Sequence, residues 1–266
     1  MDQIDYFSIF KAALDLKGKD VLEVGGAVPS QLIETSGVRS WTAVDISSTR
    51  LEDSASNTSS CYRVVHGDIA DFPGNGEYDV AYSTNCFEHI LRLDEALESI
   101  YRALRPGGIL FSVFAPIWSS PVGHHAYVED GDRVITFNHG IVPPWFHLAY
   151  EENEVRDYVA ERYSSTVADD FCRMTFHGND LNRFVDRDYE EKIGRYPYHP
   201  IVKVRIPTRL KPDPAIKSAI AKRYPRVRNF ATMGYFWVLK KGRPGPMELL
   251  RFYTGGLWET GRRKLR

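Results

Sequence analysis

Two spacings of apolar residues alternate along the first 116 positions. Ile4, Phe7, Phe10 and Leu14 recur at helical spacing, and Gly18 stops that helix. A short β-type run over 19–24 ends in Gly25-Gly26, and a helix is expected over 30–35. Runs at 40–45, 62–66 and 78–82 supply the second, third and fourth strands. Residues 93–104 read as a helix because Ala96, Leu97, Ile100, Ala103 and Leu104 form one apolar stripe. Arg105-Pro-Gly-Gly108 then turns the chain into a fifth strand over 109–114. Strands alternating with helices imply βαβ units, so the expected fold class is α/β, a doubly wound, mostly parallel sheet of about seven strands.

After Pro116 the rhythm breaks. Residues 117–178 hold five of the eight histidines and many aromatics but little strand pattern. They are expected to form a lid insertion over the carboxyl edge of the sheet, with one helix near 151–163. The regular pattern resumes with a helix over 180–193, a strand over 201–206, a short helix over 214–223 and a last strand over 232–240. The segment 242–266 is basic and aromatic, with a short helix expected over 246–253. The organisation expected is one domain over 1–266: a core (19–116), the lid (117–178), the end of the sheet (179–241) and the tail.

Composition narrows the class. With 266 residues, 43% hydrophobic and 26% charged, the chain can bury a full core and does not resemble a disordered one. No apolar run approaches the roughly 18 residues that span a bilayer. The first 20 residues lack the basic head, apolar stretch and cleavage site of a secretion signal. Three widely spaced cysteines, Cys61, Cys86 and Cys172, fit neither a disulfide framework nor paired zinc thiolates. The expected location is the cytoplasm.

The net charge of −1 conceals an uneven distribution: from Ile201 onward there are 17 Lys and Arg against three acids. Such asymmetry marks either an anionic partner or two halves that neutralise one another within one fold.

In an open parallel sheet, ligands bind where the strands end. Glu23, Gly25 and Gly26 close the first strand, where small residues let backbone approach a ligand. Asp45 closes the second strand, where an acid can accept both hydroxyls of a ribose. Asp68 follows the third strand, where an acid can accept from an adenine amino group while Ile69 packs on the ring. Asn85 follows the fourth, beside the place of the reactive group.

The segments VLEVGG, AVDIS, HGDIADFP, YDVAYSTNCFEHI and LRPGGILFSVFAP resemble the successive motifs of class I S-adenosylmethionine-dependent methyltransferases. The resemblance covers roughly residues 19–116 and implies a Rossmann-like fold with S-adenosyl-L-methionine as cofactor. It implies further that Glu23, Gly25 and Gly26 lie near the methionine part, Asp45 at the ribose, Asp68 and Ile69 at the adenine and Asn85 at the methyl-transfer site, with Ile46 also among the cofactor-binding residues. Ala27 and Pro29 stand where the family has later glycines. A nicotinamide cofactor would need Gly-x-Gly-x-x-Gly, which Gly25-Gly-Ala-Val-Pro-Ser30 does not match.

Methyl transfer from a sulfonium is an in-line displacement that requires mainly alignment and desolvation. A hydroxyl acceptor also needs its proton removed, a task suited to histidine. His124 and His125, just beyond the fifth strand, are nearly equal candidates for that base. Glu129, Asp130 and Asp132 lie nearby without a compact ligand spacing, so no metal site is expected. His89, His147 and His177 are read as structural. Trp118, Tyr127, Phe137, Trp145, Phe146 and Tyr150 would either wall an acceptor pocket or fasten the lid to the sheet.

The function expected is O-methylation of a small-molecule or carbohydrate acceptor of secondary metabolism. The competing readings are an RNA-modifying methyltransferase that uses the basic C-terminal third, and a non-catalytic binding protein. Leu249, Leu250, Phe252, Tyr253 and Trp258 would serve a homodimer contact.

Overall fold

The first strand, β1 (Asp20–Val24), is buried along its whole length, as a strand must be when it lies at the centre of a sheet covered on both faces. Its neighbours are β2 (Ser40–Asp45) and β4 (Tyr78–Thr84), both parallel to it. β3 (Tyr62–His66) pairs outside β2, and β5 (Leu104–Phe114) pairs outside β4. The structure, a computed structural model, describes residues 3–26, 28–47, 61–246 and 249.

A two-stranded hairpin, β6 (Tyr127–Asp130) and β7 (Arg133–Thr136), stands apart from this sheet. The main sheet is completed by β8 (Tyr198–Pro207) and β9 (Thr232–Lys241), in the order β3-β2-β1-β4-β5-β9-β8. β9 runs antiparallel to both β5 and β8, and the other strands share one direction. The seven-stranded, mostly parallel, Rossmann-like sheet expected from the sequence is therefore present.

Alternation along the strands builds two apolar layers. Val80 and Tyr82 of β4, with Phe111 of β5, face helix α1 (Gln3–Ala13), whose Phe7 and Phe10 pack on them and on Trp41. Ala81 and Leu110 face the other way, toward Leu97 and Ile100 of α3 (Leu93–Ala103). A short helix, α2 (Ser30–Glu34), follows β1. At the amino-terminal edge, Arg105 donates to Asp20 (2.8 Å) and Asp79 (2.7 Å), and Arg39 Nε donates to Asp20 (2.8 Å). The Arg39 and Arg105 guanidiniums hold the Asp20 carboxyl well below its ordinary range.

The segment expected to form the lid, 117–178, has its own core. Trp118, Ile135, Trp145 and Phe171 pack with α4 (Phe146–Ala149), α5 (Glu152–Ala160) and α6 (Ser165–Cys172), and with Ile216 and Ile220 of α8 (Pro214–Arg223). The sequence reading missed the β6–β7 hairpin. Val128 and Ile135 are its inward residues, and Gly131, at φ +60°, turns the two-residue loop between Asp130 and Arg133.

Helix α7 (Asp186–Gly194) begins six residues later than the expected 180. Arg183 adopts φ +53°, and the Asn182 side chain bonds the Phe87 and Ile90 carbonyls and the Phe184 N–H instead of a helix. β5 begins at Leu104, five residues before the expected 109, with a register irregularity opposite Tyr78 and Val80. The expected helix over 246–253 falls largely outside the described residues. Lys203, Arg205 and Arg223 pair with Glu190, Asp186 and Glu151, so part of the C-terminal positive charge is neutralised within the fold. No helix among the described residues is long and apolar enough to cross a membrane.

Candidate functional site

Parallel register brings the predicted residues to one edge. Val24 lies beside Val44 and Ser83, and Asp45 beside His66. The ladder continues past the strand ends: Gly25 N–H donates to Val44 O (2.9 Å), Gly67 N–H to Asp45 O (2.9 Å) and Asn85 N–H to Val113 O (2.8 Å). Gly25, Asp45, Ile46, Asp68 and Asn85 therefore line up across the tips of β1 to β4.

Each position has a local reason. Gly25 sits at φ +78°, and a Cβ there would come 2.6 Å from Cys86 Sγ, so both conformation and close approach require glycine. Gly26 follows it in the buried start of the loop. Asn85, at φ +47°, turns the chain sharply off β4. Glu23 is 2% exposed and accepts from the Val28 N–H (3.0 Å) and the Trp41 indole (2.7 Å). Its carboxylate thus fastens the loop that follows β1.

Asp45 is buried, and one of its oxygens accepts from the Ser47 N–H at 2.7 Å. Asp68 caps a 3-10 turn, accepting from the Ala70 N–H (2.9 Å), and its other oxygen lies 3.6 Å from Arg92. Ile69 is buried in the helix-side core, whereas Ile46 stands 73% exposed at the tip of β2. An isoleucine left open beside the buried Asp45 is apolar surface that a flat, partly polar ligand can cover.

The two candidate bases separate in space. His124 is buried in the lid core, against His147 (5.5 Å between rings) and Phe171 (5.2 Å), and its Nδ1 accepts from the Ala126 N–H at 3.1 Å. Burial, then His147 and His125, holds it well below the ordinary imidazole range. His125, at φ +49°, turns the other way: its Nε2 donates to the Pro116 carbonyl just past β5. Its ring stands 5.0 Å from that of His89, which follows β4. Burial, with His89 adding repulsion, lowers its pKa to about 3.

His147 is enclosed beside Trp118 (4.7 Å), and the exposed His177 meets Glu152 at 2.8 Å. Trp118, Trp145 and Phe146 are lid core, while Tyr127 is exposed. No group of three or more potential metal ligands occurs among the described residues.

Several residues at this edge escaped the sequence reading. His66 bonds the Ile46 carbonyl (2.9 Å), Cys86 touches Gly25, and Glu88 is buried beneath the turn after β4. The signal available for Glu88 was a charged residue at the end of an apolar strand motif, three positions beyond Asn85.

Residues 22–112 match the family model of the methyltransferase domain. No curated protein matches the chain. Its fold is similar to an S-adenosylmethionine-dependent methyltransferase from Mesorhizobium loti, with a TM-score of 0.54 and 12% identity over 89% of this chain and 97% of that one. It is also similar to the [4+2]-cyclase SpnF, with a TM-score of 0.52 and 16% identity over 90% of this chain and 80% of the other. Phosphoethanolamine N-methyltransferase 2 of Haemonchus contortus, in complex with S-adenosyl-L-methionine, gives a TM-score of 0.50 and 13% identity over 90% of this chain and 51% of that one. The domain match, the strand order and the row of residues along the strand tips agree: residues 22–112 are similar to the methyltransferase domain, and the chain has the fold of S-adenosylmethionine-dependent methyltransferases.

Proposed function

We propose that the protein methylates a hydroxyl of a small-molecule or glycan-like acceptor, with His125 as general base. The observation that carries this reading is the position of His125 beside His89, at the tips of β5 and β4 next to Asn85. His124, enclosed in the lid interior, is the weaker of the two candidates.

In the same reading Asp45 accepts the ribose hydroxyls, Ile46 and Ile69 flank the adenine, and Asp68 receives its amino group. Gly25 and Gly26, held by Glu23 through the loop, leave room for the methionine part. The buried acid and the exposed Ile46 beside it fit an adenosyl group. When bound, the cofactor supplies an electrophilic methyl on a sulfonium that leaves uncharged.

His125 donates from Nε2 to the Pro116 carbonyl, so its Nδ1 carries the lone pair that accepts the hydroxyl proton. The ring is neutral before reaction because burial lowers its pKa. Taking up the proton then restores one positive charge to a site that has just lost one, which limits the cost of charging a buried imidazole.

The pairing of Lys203, Arg205 and Arg223 within the fold supports a small acceptor over RNA. Cytoplasmic location and a homodimer built on the C-terminal apolar residues complete the reading.

Calorimetry with S-adenosylhomocysteine tests the cofactor part, and methyl-labelled S-adenosylmethionine with a panel of hydroxylated and aminated acceptors tests the rest. Saturable binding with label transfer to hydroxyls is expected. Transfer to amines alone would refute the hydroxyl assignment.

A further inference from the structure

The turn after β4 holds a carboxylate that neither the fold nor the cofactor uses. Glu88 is 1% exposed, and neither of its oxygens has a hydrogen-bond partner among the described residues. Leaving a buried acid unbonded is costly, and most buried polar groups avoid it. Its buried counterparts are engaged: Asp20 by Arg39 and Arg105, Glu23 by the Val28 N–H and the Trp41 indole, and Asp186 by Arg205 and the Tyr235 hydroxyl.

The backbone of the same turn is firmly held. Asn182 N–H donates to the Glu88 carbonyl (3.0 Å), and the Asn182 side chain donates to the carbonyls of Phe87 (2.7 Å) and Ile90 (3.1 Å). A fixed backbone beneath an unbonded head group is the arrangement of a preorganised binding residue.

The groups around this carboxyl belong to elements that converge on the carboxyl edge of the sheet. Its position raises the phenol of Tyr6, on α1, and that of Tyr189, on α7, in both cases after the larger effect of burial. Burial raises Glu88 itself. His89 and the amides of Ala115 and Glu88 oppose that rise without meeting hydrogen-bond geometry. Ala115 follows the end of β5, and His89, next in sequence to Glu88, stands 5.0 Å from His125, so Glu88 belongs to the turn at the tips of β4 and β5.

We propose that Glu88 anchors the acceptor, its carboxyl group hydrogen-bonding a hydroxyl other than the one methylated, so that the enzyme selects a molecule carrying more than one hydroxyl. This rests on the reading of the cleft as a hydroxyl-methylating site. An uncharged carboxyl and a hydroxyl each offer a donor and an acceptor, so the pair satisfies both without burying a charge. Glu88 is here a specificity and positioning residue. The proton of the reacting hydroxyl goes to His125.

The test uses the full chain as wild type, Glu88→Gln and Glu88→Met. The affinity of S-adenosylhomocysteine, read by calorimetry, is expected to stay within about twofold in both variants, well under the tenfold change that 1.4 kcal/mol represents. Without ligand, Glu88→Met is expected to melt higher, since an unsatisfied acid is replaced by an apolar side chain of similar size. Fluorine NMR on the S-adenosylhomocysteine-loaded protein then compares 4-fluorophenol, 4-fluoroanisole and 4-fluorobenzylamine. Wild type should prefer the phenol to the anisole by about 3- to 10-fold, the range of one net hydrogen bond. Glu88→Gln should retain that preference and Glu88→Met should lose it.

A lower melting temperature for Glu88→Met would make Glu88 a structural residue and overturn the proposal. So would an unchanged phenol preference in Glu88→Met, no phenol preference or binding in wild type, or stronger binding of the amine. Failure of wild type to bind S-adenosylhomocysteine would refute the reading of the cleft itself.

Discussion

Acid should loosen this protein chiefly through three buried imidazoles. His124, His125 and His147 are enclosed in or beneath the lid, and burial is the first cause that depresses each of them, to about 3 for His125 and about 4 for His147. In the unfolded chain each returns to the ordinary value of 6.5. Below that pH the unfolded state binds more protons than the native one, so stability is present above about 6.5 and is lost as pH falls toward the native values.

From pH 7 to pH 5 each ring should remove about 2 kcal/mol, and the three together about 5–6 kcal/mol, by the linkage relation. Glu88, whose pKa is raised, acts in the opposite sense over the same range and offsets part of the loss. At roughly 2–4 °C per kcal/mol for a domain of this size, the melting temperature should fall by about 10 °C or more. Calorimetric melts at the two pH values check this. His147→Gln keeps a donor for the Trp118 carbonyl, and His124→Gln keeps an acceptor for the Ala126 N–H. Each substitution should therefore remove about a third of the pH-dependent loss, given equal shares for the three rings. A wild-type loss under about 1 kcal/mol, or a full loss surviving when His124→Gln, His125→Gln and His147→Gln are combined, would refute the reasoning.

The site yields further predictions. Gly25→Ala places a Cβ 2.6 Å from Cys86 Sγ at φ +78°. It should cost about 1–3 kcal/mol of stability or cofactor affinity, read by melting and by S-adenosylhomocysteine calorimetry, and Cys86→Gly in the same chain should recover the steric share. Asp45→Ala should weaken S-adenosylhomocysteine by about 10- to 100-fold, the loss of a hydrogen bond to a charged group, and leave adenine, which lacks the ribose, little affected. His125→Gln should lower turnover by about 100-fold or more, as loss of a general base does, with cofactor affinity unchanged. His124→Gln should leave turnover within about threefold of wild type, given that a base contributes far more than that. Equal rate losses in the two histidine variants would return His124 to the candidate list.

The related structures set a limit on fold-based argument. The [4+2]-cyclase SpnF shares this sheet, so the sheet alone does not specify chemistry. The proposed chemistry therefore rests on the groups beyond Asn85, Glu88, His89 and His125, and not on the sheet.

Local pattern was sufficient for most of the sheet. The period-2 and period-3.6 runs placed β2, β3 and α8 at the observed boundaries, and the acids and glycines closing successive strands were identifiable because parallel register carries every strand tip to one edge. Those are short-range and topological regularities, and they are written in residue order. The roles of His124, His125 and Glu88 are not. Two adjacent histidines differ because the backbone takes φ +49° at the second and sends its ring toward Pro116, while the first turns into a core built from residues 118–181 and α8. Glu88 is left unbonded because Asn182, 94 positions away, holds its backbone and supplies nothing to its carboxyl. Residue order alone thus determined the sheet and the row of residues along its tips, whereas burial and partnership, which depend on contacts between distant segments, were decided only by the tertiary structure.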